Sequence, residues 1–181
     1  MKNKTTSAVA IGAASLTALI SIALAAQDRY TLKAPNGVAF SEFRGYESWE
    51  TVAVSMTDEG MTAILANPVM IKAYKAGIPG KDKPFPDGCM TVKIEWKKKQ
   101  NPVSPYSVDV PDTLRRISFI EKDSRRFPDS SGWGYAQFLY DKNSAAFKPF
   151  GEDSSFGTKV CYKCHTAAKA TDYIFTGYPL R

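Results

Sequence analysis

The sequence predicts an α+β domain built mainly on an antiparallel β-sheet of about five strands, with a few short helices. Two observations predict this fold class. Short segments rich in β-forming residues follow one another with turn signals between them, as they do in hairpins. Helical patterns are few and short, and the last of them carries a Cys-x-x-Cys-His sequence near the end of the chain.

The first half of the domain predicts a hairpin and one helix. The helix is expected to begin at Asn67-Pro68, because Asn is a favourable N-cap and Pro is well tolerated at the first helical position. It should stop at Gly77. In chain order the predicted elements are an irregular lead-in at 28–47 with a short helix near 40–45, strands at 49–56 and 61–66, the helix at 69–76, and a loop at 78–88.

The second half predicts three more strands and a terminal helix. Prolines and glycines mark the connections as loops and turns. The predicted elements are strands at 90–98, 114–122 and 133–140, loops at 101–111 and 147–158, a turn at 128–132, and a helix at 159–170 that carries the Cys-x-x-Cys-His residues.

The strand at 90–98 alternates strictly between two faces. One face carries Met90, Val92, Ile94 and Trp96, and the other carries Thr91, Lys93, Glu95 and Lys97. This period of two is typical of a strand that is buried on one side. On pattern alone, the ordinary expectation for Lys93 is a solvated side chain.

Cys161, Cys164 and His165 form the Cys-x-x-Cys-His signature of c-type haem attachment. Two thiols in this spacing form thioethers with the haem vinyl groups, and the imidazole becomes the proximal iron ligand. The sequence therefore predicts one covalent haem c per chain. A zinc site that also uses Cys89 is the alternative, but adjacent Cys164 and His165 would have to share one tetrahedral metal. Otherwise Cys89 is expected to be a small buried residue, or a point of disulfide dimerisation.

His165 is the only histidine among the 181 residues. Ligation of the iron by two histidines of one chain is therefore impossible. Either the sixth position is open to small molecules, or another residue type fills it and the haem transfers electrons. The methionines that could fill it are Met56, Met61, Met70 and Met90.

Residues 1–26 resemble a secretory signal peptide, with Lys2 and Lys4 ahead of an uncharged run of small and apolar residues. An uncleaved membrane anchor is the alternative. We expect export to the periplasm and a single domain at 27–181. The net charge of +6 loses two units with Lys2 and Lys4, and this mild excess does not favour nucleic acid binding.

Three motifs together resemble the cytochrome P-460 family, over roughly residues 47–176. They are Lys-Pro-Phe-Pro-Asp-Gly at 83–88 followed by Val-Lys-Ile-Glu at 92–95, the haem signature, and Asp-Tyr-Ile-Phe-Thr at 172–176. The resemblance implies an antiparallel β domain, often dimeric, with a five-coordinate haem. In one branch of the family a lysine bonds covalently to the porphyrin, and the protein oxidises hydroxylamine to nitrogen oxides. The resemblance assigns that lysine to Lys93.

The other branch, cytochrome c′-beta, lacks the lysine bond and binds nitric oxide or carbon monoxide under a cap of phenylalanines. For this chain Phe85, Phe150 and Phe156 are candidates for such a cap. The enzymatic hypothesis needs a base for the protons that hydroxylamine releases, and Glu152 and Asp153 are candidates because they lie shortly before the haem signature. It also needs an electron acceptor, which we expect to be a soluble c-type cytochrome.

Overall fold

The computed structural model describes residues 27–80 and 83–181. The signal peptide predicted at 1–26 lies outside the described residues. No helix within the described part of the chain is long and apolar enough to cross a membrane.

The fold is α+β, with one antiparallel sheet whose strands lie side by side in chain order. The sheet has six strands, one more than the sequence predicted. They are β1 (Glu50–Thr57), β2 (Gly60–Ala66), β3 (Met90–Gln100), β4 (Asp109–Lys122), β5 (Trp133–Asp141) and β6 (Ala146–Phe150). Every neighbouring pair is antiparallel; β2 and β3 are joined through a helix and a loop, and the other pairs by shorter connections.

The β1–β2 hairpin turns where the sequence predicted it, with Thr57 paired to Gly60. Gly60 is required there because a Cβ atom at this position would lie 2.1 Å from the carbonyl oxygen of Trp96. Helix α1 (Pro68–Lys75) follows β2, and the side chain of Asn67 caps it by accepting a hydrogen bond from the Met70 amide at 2.9 Å. The predicted hairpin and helix are confirmed within about one residue.

Two parts of the sheet were missed. The sequence predicts a loop at 147–158, but residues 147–150 belong to β6 and pair with β5 at the sheet edge, where Pro149 is tolerated because an edge strand has a free side. Strand β3 also runs two residues past its predicted end at 98, and β4 begins inside the predicted loop at 101–111, where Pro111 pairs with Lys98 beside a bulge.

Each face of the sheet has its own hydrophobic cluster. On one face, Phe40 and Phe43 of a 3-10 helix (Phe40–Phe43) pack against Phe119 and Phe138, and the Phe43 and Phe119 rings stack at 4.0 Å. On the other face, α1 and the C-terminal segment pack against β5 through residues such as Met70, Tyr135 and Ile174. The neighbours Leu65 and Ala66 belong to different clusters, as alternation along β2 requires.

The haem signature and the residues around it form three short helical turns rather than the one regular helix predicted at 159–170. A π-helical turn (Gly157–Tyr162) leads into α2 (Lys163–His165), and a 3-10 turn (Thr166–Thr171) follows. The chain then passes through Asp172 and Tyr173, both with positive φ, and returns along the sheet.

Candidate functional site

A cavity of about 430 Å³ lies between the sheet and the C-terminal segment. Its floor is one face of the central strands. Thr91, Lys93 and Glu95 of β3 line it, while Val92 between them is buried in the cluster on the opposite face. The face on which Lys93 lies is therefore the cavity face. The predicted alternation of β3 is confirmed from Met90 to Glu95, and register shifts interrupt it from Trp96 onward.

The pairing register brings further polar side chains beside Lys93 and Glu95. Lys93 is opposite Ser118 of β4, and Ser118 is opposite Gln137 of β5. Glu95 is opposite Arg116 in the next row. All five residues line the cavity. Directly opposed residues have Cβ atoms about 5 Å apart on one face, so this polar floor follows from the register.

Glu95 is the most strongly held ionic group of the floor. Its side chain is 8% exposed, and it accepts hydrogen bonds from Arg116 Nε at 2.7 Å and Arg116 Nη2 at 2.9 Å. Lys93 Nζ lies 3.2 Å from its Oε2 atom. Burial raises the pKa of Glu95, but the Arg116 hydrogen bonds and the charges of Lys93 and Arg116 outweigh burial, so the net pKa is lowered. Glu95 is therefore an ionised proton acceptor at neutral pH.

Cys161 and His165 line the opposite wall, together with Ile174, Phe175 and Thr176. His165 Nδ1 is 2.6 Å from the carbonyl oxygen of Tyr173, which assigns Nδ1 as a donor and leaves the lone pair of Nε2 free to bind a metal. Burial lowers the pKa of His165, and the nearby charge of Lys93 lowers it as well. The hydrogen bond to Tyr173 raises the pKa, but the net pKa is lowered. The imidazole is thus neutral at physiological pH, the form that binds iron.

The residues of the cavity fit a haem group. A volume of about 430 Å³ is in the range of cofactor sites. Two cavity hydroxyls, Ser118 Oγ and Tyr135 Oη, are buried without a hydrogen-bond partner among the described residues. Orphaned polar atoms of this kind are uncommon in folded proteins, and a bound group with polar substituents explains them. The His165 ring lies 4.9 Å from the rings of Tyr135 and Phe175, which restrict its orientation.

The two cysteines of the signature differ in their surroundings. Cys161 is half-buried and lines the cavity, and burial raises the pKa of its thiol to about 11. Cys164 is exposed on α2 and is not among the described residues that line the cavity.

The two predicted bases, Glu152 and Asp153, are not brought together with Lys93 and His165. Both are exposed and line a separate cavity of about 400 Å³ with Phe150 and Phe156. Asp153 accepts hydrogen bonds from the amide and hydroxyl of Ser155, and these lower its pKa. Neither carboxylate lines the cavity of His165, because the 147–158 segment begins as edge strand β6 and then turns away from that floor.

The other candidate ligands also lie elsewhere. None of the four methionines is among the described residues that line the cavity. Phe175 lines it, and the three phenylalanines proposed for a cap do not. Cys89 is fully buried in the cluster around α1, and no group of three or more His, Cys, Asp or Glu side chains in residues 27–80 and 83–181 is arranged to hold a metal ion.

Sequence reasoning missed Glu95, Arg116, Ser118 and Tyr135 as site residues. Glu95 could have been found, because it lies two residues after Lys93 on the same strand face. The others required the register of β4 and β5.

The fold and the cavity together define a haem protein built on an antiparallel sheet instead of a helical bundle. The chain belongs to the cytochrome P-460 family, whose family model matches residues 43–176. Membership implies a haem cofactor, in agreement with the fit of the cavity. A search of curated proteins returned no match to the chain.

Proposed function

We propose that this protein is a periplasmic cytochrome with one covalent haem c and an open iron position, and that it oxidises hydroxylamine. The observation that supports this most is that a lysine, Lys93, and an ionised carboxylate, Glu95, line the same cavity as Cys161 and His165. A purely apolar cavity could hold a gas but could not accept protons.

Each residue has a distinct role in this proposal. Cys161 and Cys164 would hold the haem covalently, and His165 would bind its iron. The Lys93 amine would bond to a porphyrin carbon, with loss of one hydrogen from each partner and of two electrons to an oxidant such as peroxide. The haem supplies an iron that accepts electrons and binds the substrate nitrogen. Oxidation of NH2OH to NO releases three electrons and three protons. The electrons pass to a soluble c-type cytochrome. Glu95 accepts protons, and water carries them to solvent past Arg116, whose side chain is 32% exposed.

Covalent capture of Lys93 by the porphyrin would remove its positive charge from beside Glu95. Arg116 would then be the only cation hydrogen-bonded to the carboxylate among the described residues. Since the Lys93 charge helps to lower the pKa of Glu95, its removal would raise that pKa and make Glu95 a better proton acceptor.

The alternative is a non-catalytic protein that binds nitric oxide or carbon monoxide. The apolar half of the cavity favours it, because Ile64, Ile120 and Phe175 could surround a small gas. In this case Lys93 would keep its ion pair with Glu95 and would not bond to the haem.

Tryptic mass analysis of the holoprotein separates the two functions. A Lys93 that is bonded to haem resists trypsin, so we expect a peptide that runs through Lys93 to stay attached to the haem peptide of Cys161 and Cys164. Lys93→Arg keeps the positive charge but should lose the bond, and it is the matched control. If all haem stays on the Cys161–Cys164 peptide and hydroxylamine does not reduce it, the enzymatic proposal is wrong.

A further inference from the structure

A buried ion pair joins strand β4 to the C-terminal segment that carries His165. Lys122 Nζ of β4 is 3.0 Å from Asp172 Oδ2, and the two side chains are only 6% and 10% exposed. A buried pair pays a large desolvation cost for both charges and often adds little net stability. Stability alone therefore does not explain this ion pair, and the chain segments that it connects indicate its role.

Asp172 joins two distant parts of the chain. Besides Lys122, its Oδ2 atom accepts a hydrogen bond from the Phe85 amide at 2.8 Å, so the 83–88 motif is attached to the 172–176 motif. Lys122 Nζ also donates to the carbonyl oxygen of Ser131 at 2.9 Å. The Ser131 hydroxyl in turn contacts the hydroxyls of Tyr162, between the two haem cysteines, and Tyr173.

The main chain at this point has an uncommon conformation. Asp172 and Tyr173 both lie in the left-handed region, with φ of 50° and 66°. Aspartate tolerates this region better than most residues, but a tyrosine in it needs support from its surroundings. The turn points the Tyr173 carbonyl at His165 Nδ1, 2.6 Å away.

We infer that Lys122 and Asp172 are positioning residues for the haem ligand. By fixing the left-handed turn, they hold the Tyr173 carbonyl against His165 Nδ1 and thereby set the orientation and basicity of the imidazole. The inference depends on haem ligation by His165 and is independent of hydroxylamine turnover. A failure of the proposed function would leave it intact.

The consequence for the iron follows from the direction of the hydrogen bond. Donation from Nδ1–H to a carbonyl makes Nε2 a stronger electron donor, and a stronger donor stabilises ferric over ferrous iron. When the turn is released, the hydrogen bond lengthens. The ferrous state is then favoured, and the bond between ferrous iron and histidine weakens.

Three variants of the holoprotein test the inference. Lys122→Met removes the cation at similar length, and Asp172→Ala removes the carboxylate. Asp172→Asn keeps an acceptor for Phe85 and a residue that adopts left-handed φ readily, so it isolates the effect of the charge. The matched control is Glu121→Gln, which removes a carboxylate with 3% side-chain exposure on the neighbouring residue of β4, where it pairs with Arg126 instead.

The readouts are the midpoint potential and the iron–histidine stretching band of the ferrous protein in resonance Raman spectra. We expect Asp172→Ala and Lys122→Met to raise the ferrous-to-ferric ratio at a fixed ambient potential by roughly tenfold, comparable to the smaller effects on metal affinity when a group that orients a metal ligand is changed. A tenfold change corresponds to about 59 mV for one electron. The stretching band should shift to lower frequency, Asp172→Asn should shift less, and Glu121→Gln should not shift.

A merely structural ion pair gives a different result. In that case Asp172→Ala and Lys122→Met lower the unfolding midpoint, but the potential and the stretching band stay at wild-type values, which overturns the inference. If Asp172→Ala yields no holoprotein, the midpoint potential and the stretching band of Lys122→Met and Asp172→Asn decide between the two roles of the ion pair. Equal shifts in Glu121→Gln would also overturn it, because the effect would then be that of any buried charge.

Discussion

Replacement of Glu95 by glutamine is the most direct test of the chemistry proposed for the cavity. Glu95→Gln conserves the shape of a side chain that is only 8% exposed, but it removes the charge and one of the two acceptor oxygens. Arg116 Nε and Nη2 each donate to a different carboxylate oxygen, so one of these two hydrogen bonds is lost whichever way the amide is oriented.

The expected effects on rate and on stability differ in size. A positioned general base typically contributes about 100-fold to 10,000-fold, so hydroxylamine-driven reduction of the haem should slow by that factor. A hydrogen bond to a charged group contributes about 1.5–3 kcal/mol. The partly exposed Arg116 recovers some of this from water, and we expect the free energy of unfolding to fall by about 2 kcal/mol.

The pH dependence gives a second signature. The net pKa of Glu95 is lowered in the folded state, so its carboxylate stays ionised at neutral pH. Its contribution to stability is present above the unfolded-state pKa and is lost as the pH falls through the folded-state pKa. The wild-type rate should fall in the same acidic range, whereas the rate of Glu95→Gln should show no such fall.

Stopped-flow absorbance measures the reduction of the haem, and chemical denaturation measures stability. Glu121→Gln is the control, because Glu121 is equally buried but lies on the opposite face of β4 with Ile117 and Phe119. A Glu95→Gln protein that reduces its haem at the wild-type rate, with its Lys93 peptide still bonded to haem, would refute Glu95 as the base.

Three further predictions concern the rest of the molecule. Burial raises the pKa of Cys89 to about 12, so iodoacetamide at pH 8 should label the holoprotein only after denaturation, and labelling of the native protein would contradict its burial. Burial raises the pKa of Glu121 to about 7; repulsion by Glu42 adds to this rise, and attraction by Arg126 opposes it. The native state therefore binds the proton more tightly, and stability should fall by up to about 3 kcal/mol as the pH rises from 4.5 to above 7. Denaturation at pH 5 and pH 8 should show a smaller difference in Glu121→Gln, and an unchanged difference would reject this assignment. Phe40→Ala, in the cluster on the face away from the haem cavity, should lower the free energy of unfolding by about 3–5 kcal/mol and leave the haem spectrum unchanged.

The fold was predictable where local signals agreed. Alternation along β3, the turn before Gly60 and the Asn67 cap each specify an element through nearby residues alone. Strand β6 was missed because its five residues contain a proline and have only one neighbour, so their conformation depends on pairing with β5. The extension of β3 and β4 past the bulge is similarly a product of pairing.

The site residues were likewise predictable only where they are neighbours in sequence. Cys161, Cys164 and His165 are adjacent in sequence, so their chemistry could be inferred before the fold was known. The search for a base near them in sequence led to Glu152 and Asp153, which line a different cavity. Glu95 is about seventy positions from His165 in the chain, but the sheet places its face opposite the C-terminal wall. In an antiparallel sheet the register, rather than chain distance, decides which side chains share a site.

The contrast between local and long-range contacts also explains how a terminal segment of short helical turns can become part of a precise site. The polar floor of the cavity is held by the ladders of β2 to β5 and needs no further support. The C-terminal wall consists of short helical turns without a ladder of its own, so its position relative to the floor depends on side-chain contacts. Lys122 lies on a strand of the floor and Asp172 lies on the wall. Their ion pair therefore links the part of the molecule that carries Lys93 and Glu95 to the part that carries His165, and loosening it should alter the iron before it unfolds the sheet.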